Sequence, residues 1–488
     1  QTHIQRNRVS NLWIPTIPSF MLSLFALLLC VNSGLSLFNV YPKIKQIPVR
    51  GDPGDPLFLT PYIEAGKIKE AQQLSKVGPL KGAANIKSYS GYLTVDKRYN
   101  SNLFFWYFPI EKEYADAPVV LWLQGGPGST SLFGLFTENG PFSINKKFYL
   151  VPREYSWTKT HHVIYIDNPV GTGFSFTDSD DGYARNETKV GEDLYQAIFQ
   201  FFQLFPELQK NEFYVTGESY GGKYVPALSY TIHTKNKDAK QKINFKGMAI
   251  GNGFSDPEHM LNYSDYLYQI GLIDINTKKI LYEQENLGIK YIQEKKWDAA
   301  FDVFDRLLLG DMCNSSVFQN VTGFTFHFNY LKSREDGSDM MGQYVQLNKV
   351  RNAIHVGNLT FHTYNKVEIM LKQDVMQSVK PLVEVLLDNN NYRILIYNGQ
   401  LDIIVAYPLT LGFLQTLKWS GTDAYKTAPR LQWHVDGDIA GYSKTVGNFT
   451  ELLVRDAGHM VPTDQPKWAF DMINRFTSNK PFNDQIHT

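Results

Sequence analysis

Phe213-Tyr214-Val215-Thr216-Gly217-Glu218-Ser219-Tyr220-Gly221-Gly222 decides how this chain is read. A run of β-forming residues enters a Gly-x-Ser-x-Gly turn, and Gly222 to Leu228 read as the start of a helix. A serine at such a turn sits on a sharp elbow, with its hydroxyl exposed and a helix N-terminus behind it. The flanking glycines let strand and helix approach more closely than β-carbons permit. Alone, the five-residue string also fits an ordinary loop. Reading Ser219 as a nucleophile therefore requires a base, an acid and an oxyanion hole elsewhere in the chain.

The downstream sequence supplies the first two. An α/β-hydrolase orders its triad as serine, acid, histidine. Tyr392-Arg393-Ile394-Leu395-Ile396-Tyr397 reads as a strand, followed by Asn398-Gly399-Gln400-Leu401-Asp402, so Asp402 falls just past a strand end. Leu452-Leu453-Val454-Arg455 reads as another strand and leads into Asp456-Ala457-Gly458-His459, which sets His459 on a loop beside a glycine. In this reading Ser219 attacks, His459 takes and returns its proton, and Asp402 fixes the imidazole tautomer. His161 and His162 precede the apolar run Val163 to Ile166 and read as packing or surface residues. His355 and His362 have no carboxylate or cysteine cluster around them, and His-Glu-x-x-His and Cys-x-x-Cys patterns do not occur, so neither a metal nor another cofactor is expected.

The oxyanion donors come from two turns. Pro118-Val119-Val120-Leu121-Trp122-Leu123 is a buried strand that ends in Gln124-Gly125-Gly126-Pro127-Gly128-Ser129. Its glycines allow a main-chain N–H to approach a carbonyl oxygen, and the assigned donors are the amides of Gly126 and Tyr220.

Four motifs together resemble the serine carboxypeptidase family. They are Trp-Leu-Gln-Gly-Gly-Pro-Gly (122–128), Asp-Asn-Pro-Val-Gly-Thr-Gly-Phe-Ser (167–175), Gly-Glu-Ser-Tyr-Gly-Gly (217–222) and Ala-Gly-His-Met-Val-Pro (457–462). The likeness runs in order from about Tyr89 to Phe476, with Ser90-Gly91-Tyr92-Leu93 and Ile250-Gly251-Asn252-Gly253 between. It is greatest toward the vitellogenic-like carboxypeptidases, which carry Gln rather than Asn before the double glycine. The resemblance implies release of single residues from peptide C-termini, with recognition of the free carboxylate by Gln124, Glu138 and Glu218. Acids can bind an acid only if Glu138 and Glu218 lie close enough for one to stay protonated and donate a hydrogen bond. Binding is then expected to be best in acid. Two departures stand out: Gln124 is one methylene longer than the commoner Asn, and Ser129 replaces a cysteine that forms a disulfide in many members.

Composition sets broad limits. The chain has 488 residues, enough for a large core, and its 48 basic and 48 acidic residues balance. That balance gives no general attraction to nucleic acid or to anionic membranes. Met21 to Val31 is apolar and uncharged, with Arg6 and Arg8 before it and Ser33, Gly34 and Ser36 after it. Residues 1–36 therefore read as a signal peptide, with a retained signal anchor as the alternative, and no stable membrane span is expected after cleavage. The chain opens on Gln1, so a start upstream is expected. Six Asn-x-Ser/Thr sequons, at Asn186, Asn262, Asn314, Asn320, Asn358 and Asn448, agree with passage through the secretory route to a secreted or lysosomal destination. Cys30 lies in the presumed signal, which leaves Cys313 as the mature chain's single thiol, either a buried apolar residue or a partner for another chain.

The fold class expected is α/β, an α/β-hydrolase with a central, mostly parallel sheet flanked by helices. Residues 88–254 and 376–480 form its core, and 255–375 a largely helical insertion over the active site. Residues 37–87, rich in Pro, Gly and Lys toward 42–82, read as an extended N-terminal arm or propeptide. The function expected is that of a serine carboxypeptidase acting on peptides through an acyl-enzyme. The rivals are an acyltransferase on the same scaffold, an esterase or lipase with no need of a C-terminal carboxylate, and a non-enzymatic carrier or chaperone.

Overall fold

Val119, Leu121 and Leu123 of one strand enter one hydrophobic core, while Val120 and Trp122 enter another. Ile164 and Ile166 divide from Val163 and Tyr165 in the same way. Both faces of these strands are thus covered, which is why they read as continuous apolar runs rather than as alternating ones. The computed structural model describes residues 41, 44, 46–48, 51–83, 85–111, 116–310, 315–334, 339–363 and 365–483. The presumed signal peptide with Cys30, together with Cys313 and the sequon at Asn314, lies outside the described residues.

In chain order the strands are β1 (Tyr89–Asp96), β2 (Ser101–Phe108), β3 (Val119–Leu123), β4 (Phe142–Ile144), β5 (Leu150–Pro152), β6 (His162–Ile166), β7 (Phe213–Glu218), β8 (Phe245–Gly251), β9 (Arg393–Gly399), β10 (Leu431–Val435), β11 (Asp438–Val446) and β12 (Phe449–Val454). Ten of them make one sheet in the order β1-β2-β6-β3-β7-β8-β9-β12-β11-β10, and β4 pairs with β5 separately. From β6 through β12 in that order all neighbours run parallel. Antiparallel strands close both edges. The loops after β3, β6, β7, β8, β9 and β12 therefore open on one end of the sheet, where α/β folds place their sites.

Helices cover the faces for reasons visible locally. The helix Glu187–Leu204 starts where the Asn186 side chain accepts the Lys189 amide at 3.0 Å, and it buries Val190, Leu194, Ala197, Ile198 and Phe201 along one stripe. It stops before Pro206, whose ring disfavours helical backbone at the preceding Phe205. Between β8 and β9 the chain runs through a series of helices, of which Ile275–Gln293 is the longest. Among the described residues no helix is long and apolar enough to cross a membrane.

One local expectation is corrected. The arm is not simply extended, because it carries short helices at Thr60–Glu64 and Ile68–Leu74. Pro61 sits in the first turn of the former, a position that needs no N–H, and Leu59, Ile63 and Ala71 bury against the sheet's core. The Pro, Gly and Lys content obscured that spacing. The arm is also stitched to β1, since the Leu59 amide donates to the Tyr92 carbonyl at 2.9 Å and the Tyr92 amide to Leu57 at 2.9 Å.

The helix after the elbow, Gly221–Lys235, is tied to the insertion by a buried ion pair. Lys223 Nζ, fully buried, lies 2.9 Å from Asp374 Oδ2 and donates to the carbonyls of Asp374 and Val375. Tyr220 donates its hydroxyl to the same Asp374 oxygen at 3.1 Å. Removing one partner strands the other charge away from water, which costs about 3–5 kcal/mol. Lys223→Met is therefore expected to lower the unfolding free energy by about that amount, read from urea titration. A loss below about 1 kcal/mol would show the pair to be dispensable.

Candidate active site

Ser219 directly follows β7 with φ +63°, a left-handed conformation that is uncommon for a residue with a β-carbon. Its backbone is held from both sides. The Ser219 amide donates to Gly251 at 3.1 Å, and its carbonyl accepts from Gly222 at 2.8 Å and Phe254 at 3.0 Å. A β-carbon on Gly125 would stand 2.4 Å from the Tyr220 nitrogen and 2.7 Å from Ser219 Cβ, so the glycine loop after β3 lies directly against the elbow. Gly126, at φ +112°, adopts a backbone that side chains disfavour. The amides of Gly126 and Tyr220 thus belong to two turns in van der Waals contact, with the positive end of the Gly221–Lys235 helix behind them. Where a disulfide is absent, the Ser129 amide closes the loop by donating to Gly125 at 3.0 Å.

His459 and Asp402 meet. Imidazole Nδ1 lies 2.8 Å from Asp402 Oδ2, and both side chains are fully buried. A carboxylate facing Nδ1 assigns the proton there, which leaves Nε2 as the acceptor. Nε2 is buried and has no hydrogen-bond partner among the described residues. Asp402 is itself held by further donors: Asn252 Nδ2 reaches Oδ2 at 2.7 Å, and the Ile404 amide reaches Oδ1 at 3.0 Å. The insertion completes the setting. Phe328 stacks on the imidazole with centroids 4.7 Å apart and planes 6° from parallel, and its carbonyl accepts the His459 amide at 2.6 Å. Tyr266 donates to the Asp402 carbonyl at 2.8 Å.

Beside the serine, three buried polar side chains converge. Gln124 Nε2 is 3.0 Å from Glu138 Oε1 and 3.0 Å from Glu218 Oε1, and its Oε1 accepts from Trp122 Nε1 at 2.8 Å, which fixes the amide's orientation. Glu138 and Glu218 are both fully buried. Burial raises both carboxyls above the ordinary range, and the facing charge of Glu138 raises Glu218 further. The Oε2 atoms of the two acids receive no N–H or O–H from another side chain. A carboxyl raised in this way takes up a proton more readily, and a protonated carboxyl can donate a hydrogen bond.

Sequence reasoning passed over several residues that share this space. Asn252, quoted above only as part of a motif, sits at φ +44°, where asparagine is favoured among side-chain-bearing residues. Its Oδ1 accepts from Gly399 at 3.1 Å, so it ties the loops after β8 and β9 together. Asp167 binds the Thr130 hydroxyl at 2.5 Å and the amides of Ser131 and Phe174, and burial pushes its carboxyl up to about 7. It anchors the glycine loop and takes no position at the serine. Tyr41, from the N-terminal arm, and Phe328 had no local signal. His161 and His162 are packed inside and pushed down by burial to about 4. The five described sequon asparagines, Asn186, Asn262, Asn320, Asn358 and Asn448, are exposed. Among the described residues no group of three or more His, Cys, Asp or Glu is placed to hold a metal.

Comparison with known proteins agrees with this geometry. The family described as serine carboxypeptidase (peptidase S10) matches residues 79–479. A venom serine carboxypeptidase of Apis mellifera is 56% identical over 467 residues, covering 94% of this chain and 99% of that protein. The human probable serine carboxypeptidase CPVL is 51% identical over 451 residues, covering 91% and 94% respectively. Among solved structures, the prohormone-processing carboxypeptidase Kex1(delta)p of Saccharomyces cerevisiae superimposes with a TM-score of 0.70 at 23% identity, covering 84% of this chain and 96% of that one. That likeness confirms the α/β-hydrolase fold. With a matched region that spans the sheet, the elbow and the histidine loop, this chain belongs to the serine carboxypeptidase family.

Proposed function

We propose that this serine carboxypeptidase releases single C-terminal residues from peptides through an acyl-enzyme on Ser219, and binds its substrates best in acid. The observation that carries the reading is the buried Gln124–Glu138–Glu218 cluster beside the left-handed serine, because an esterase or lipase has no use for it. Ser219 Oγ attacks the last peptide carbonyl while His459 Nε2 takes the hydroxyl proton. The oxyanion faces the Gly126 and Tyr220 amides. Collapse breaks the C–N bond, the imidazolium returns its proton to the leaving amine, and the free amino acid departs. Water then adds to the acyl carbon, again giving a proton to Nε2, and Ser219 is restored. Asp402 holds the imidazole in one tautomer throughout. A secreted or lysosomal setting is supported by the apolar N-terminal stretch, by the exposed sequons as glycan acceptors, and by the likeness to a venom serine carboxypeptidase.

Three measurements test this reading. An N-blocked dipeptide with a free C-terminal carboxylate is expected to be cleaved, and its amidated twin to be inert, at about pH 5, near where carboxyls titrate. Ser219→Ala is expected to lower turnover by about 10⁶. Equal cleavage of acid and amide would discard the carboxylate clamp.

The second concerns pH. Both glutamates are raised, so the proton-sharing state prevails in acid and is lost as pH rises through the pair's titration. KM for a free-acid peptide is therefore expected to climb from pH 5 toward neutrality. Glu218→Gln, which keeps a donor at every pH, should flatten that climb. A KM that does not change with pH in the unsubstituted enzyme would sink the mechanism.

The third concerns Asn252→Ala, which removes a donor to a buried carboxylate. A stability loss of about 1.5–3 kcal/mol is expected in urea unfolding. No loss would mean that the Ile404 amide and His459 satisfy Asp402 unaided.

A further inference from the structure

The carboxylate cluster already holds a side chain, and it belongs to this chain's own N-terminal arm. Tyr41 donates its hydroxyl to Glu218 Oε1 at 2.9 Å and accepts from Gln124 Nε2 at 3.0 Å. These are two of the groups assigned above to the substrate carboxylate. The Gln124 amide has two protons to divide among Tyr41, Glu138 and Glu218, so an incoming carboxylate and the Tyr41 hydroxyl draw on the same donor. Tyr41 itself is only 5% exposed. Its ring meets Phe133 edge-on at 5.2 Å and Phe328 at 5.4 Å, with its centroid 6.3 Å from that of the His459 imidazole. The space left beside it, bounded by Ser129, Phe133, Met341 and His362, is about 10 Å³, roughly a single water sphere. An aromatic ring with a polar tip therefore fills an apolar slot next to the catalytic imidazole. Its tip is on the groups assigned to the substrate carboxylate, and its body packs between Phe133 and Phe328.

We propose that Tyr41 is a built-in occupant of the subsite for the substrate's C-terminal residue, so that the Tyr41 side chain must swing out before a peptide binds and peptides ending in a large aromatic residue displace it best. The proposal rests on the carboxylate-clamp reading of Gln124, Glu138 and Glu218, and adds to it both a substrate class and an intramolecular competitor. An occupant held by the same chain competes at high effective concentration. If the open state is populated about one-tenth of the time, the apparent affinity for peptide falls by about tenfold. Two hydrogen bonds and the aromatic packing hold the occupant, and a substrate that brings a ring and a carboxylate replaces both kinds of contact. A peptide ending in alanine replaces only the polar ones.

The test uses the full chain as wild type, Tyr41→Phe and Tyr41→Ala, with N-blocked dipeptides ending in Phe or Ala, each as free acid and amide. For the free acid ending in Phe, Tyr41→Ala is expected to lower KM by about tenfold with little change in kcat. Tyr41→Phe, which keeps the ring and loses the hydroxyl, should fall between. The substrate ending in Phe should be preferred over the one ending in Ala throughout. A KM that rises or stays fixed in Tyr41→Ala would make Tyr41 a wall of the site and overturn the proposal. A second measurement does not depend on that variant folding. Saturating the Ser219→Ala chain with the dipeptide ending in Phe should accelerate proteolysis on the N-terminal side of residue 51, and unchanged susceptibility would equally overturn it. Loss of discrimination between acid and amide would sink the clamp reading itself. Intact discrimination with no effect of Tyr41 would sink only the occupant.

Discussion

The structure is organised around one unfavourable backbone conformation, the left-handed φ of +63° at Ser219. A residue with a β-carbon in that region costs on the order of 1–3 kcal/mol and persists only where its surroundings over-determine it. Here they do. The Gly251 carbonyl on the neighbouring strand fixes the serine amide, and the Gly222 and Phe254 amides fix its carbonyl. The glycine loop after β3 presses on it so closely that a methyl group at Gly125 has nowhere to go. The parallel strand order brings these partners to one end of the sheet. Each remaining element of the site approaches a serine whose position has been settled by main-chain contacts rather than by its own side chain.

Charge is handled next to it by neutralisation rather than pairing. An isolated ionised carboxylate in such a place costs several kcal/mol, and two facing each other cost more. Among the described residues no cation is hydrogen-bonded to Glu138 or Glu218, and the amide of Gln124 lends both its polar support. Burial and the facing charge raise these carboxyls, which favours their neutral forms. By contrast, Asp402, equally buried, is surrounded by donors from His459, Asn252 and Ile404. Donor supply thus differs sharply between the two acidic environments.

What could be read in advance follows the range over which each signal acts. The strands β3, β6, β7 and β9 announce themselves because burial on both faces leaves an apolar run with a glycine turn behind it. Ser219, Asp402 and His459 each stand beyond such a run, so local pattern and chain order marked them as candidates. Asn252 escaped because its role lies in bonding to Asp402, 150 residues later. Phe328 escaped because an aromatic residue in a loop carries no mark of the imidazole it covers. Tyr41 was the least legible of all, since 177 residues separate it from Glu218. The arm's helices were hidden by Pro61 and Gly66, which usually signal breaks but here sit at a helix start and just beyond its end.

The stacking of Phe328 on His459 has a consequence for how this scaffold diversifies. The insertion between β8 and β9 might be thought of as a detachable attachment, with the chemistry left to the sheet. Yet the 327–330 segment lays the Phe328 ring on the imidazole, accepts the His459 amide at the Phe328 carbonyl and the Ile403 and Ile404 amides at the His327 carbonyl, and donates the Tyr330 amide to Leu401. The insertion is therefore a keystone: exchanging it wholesale between proteins would remove the stacking and main-chain contacts that hold the His459 imidazole. Its outer helices, such as Ile275–Gln293 with its exposed Ile280 and Tyr282, carry no such duty. Changes on those outer faces leave the imidazole's contacts in place, whereas the short rung beneath them must travel with the histidine.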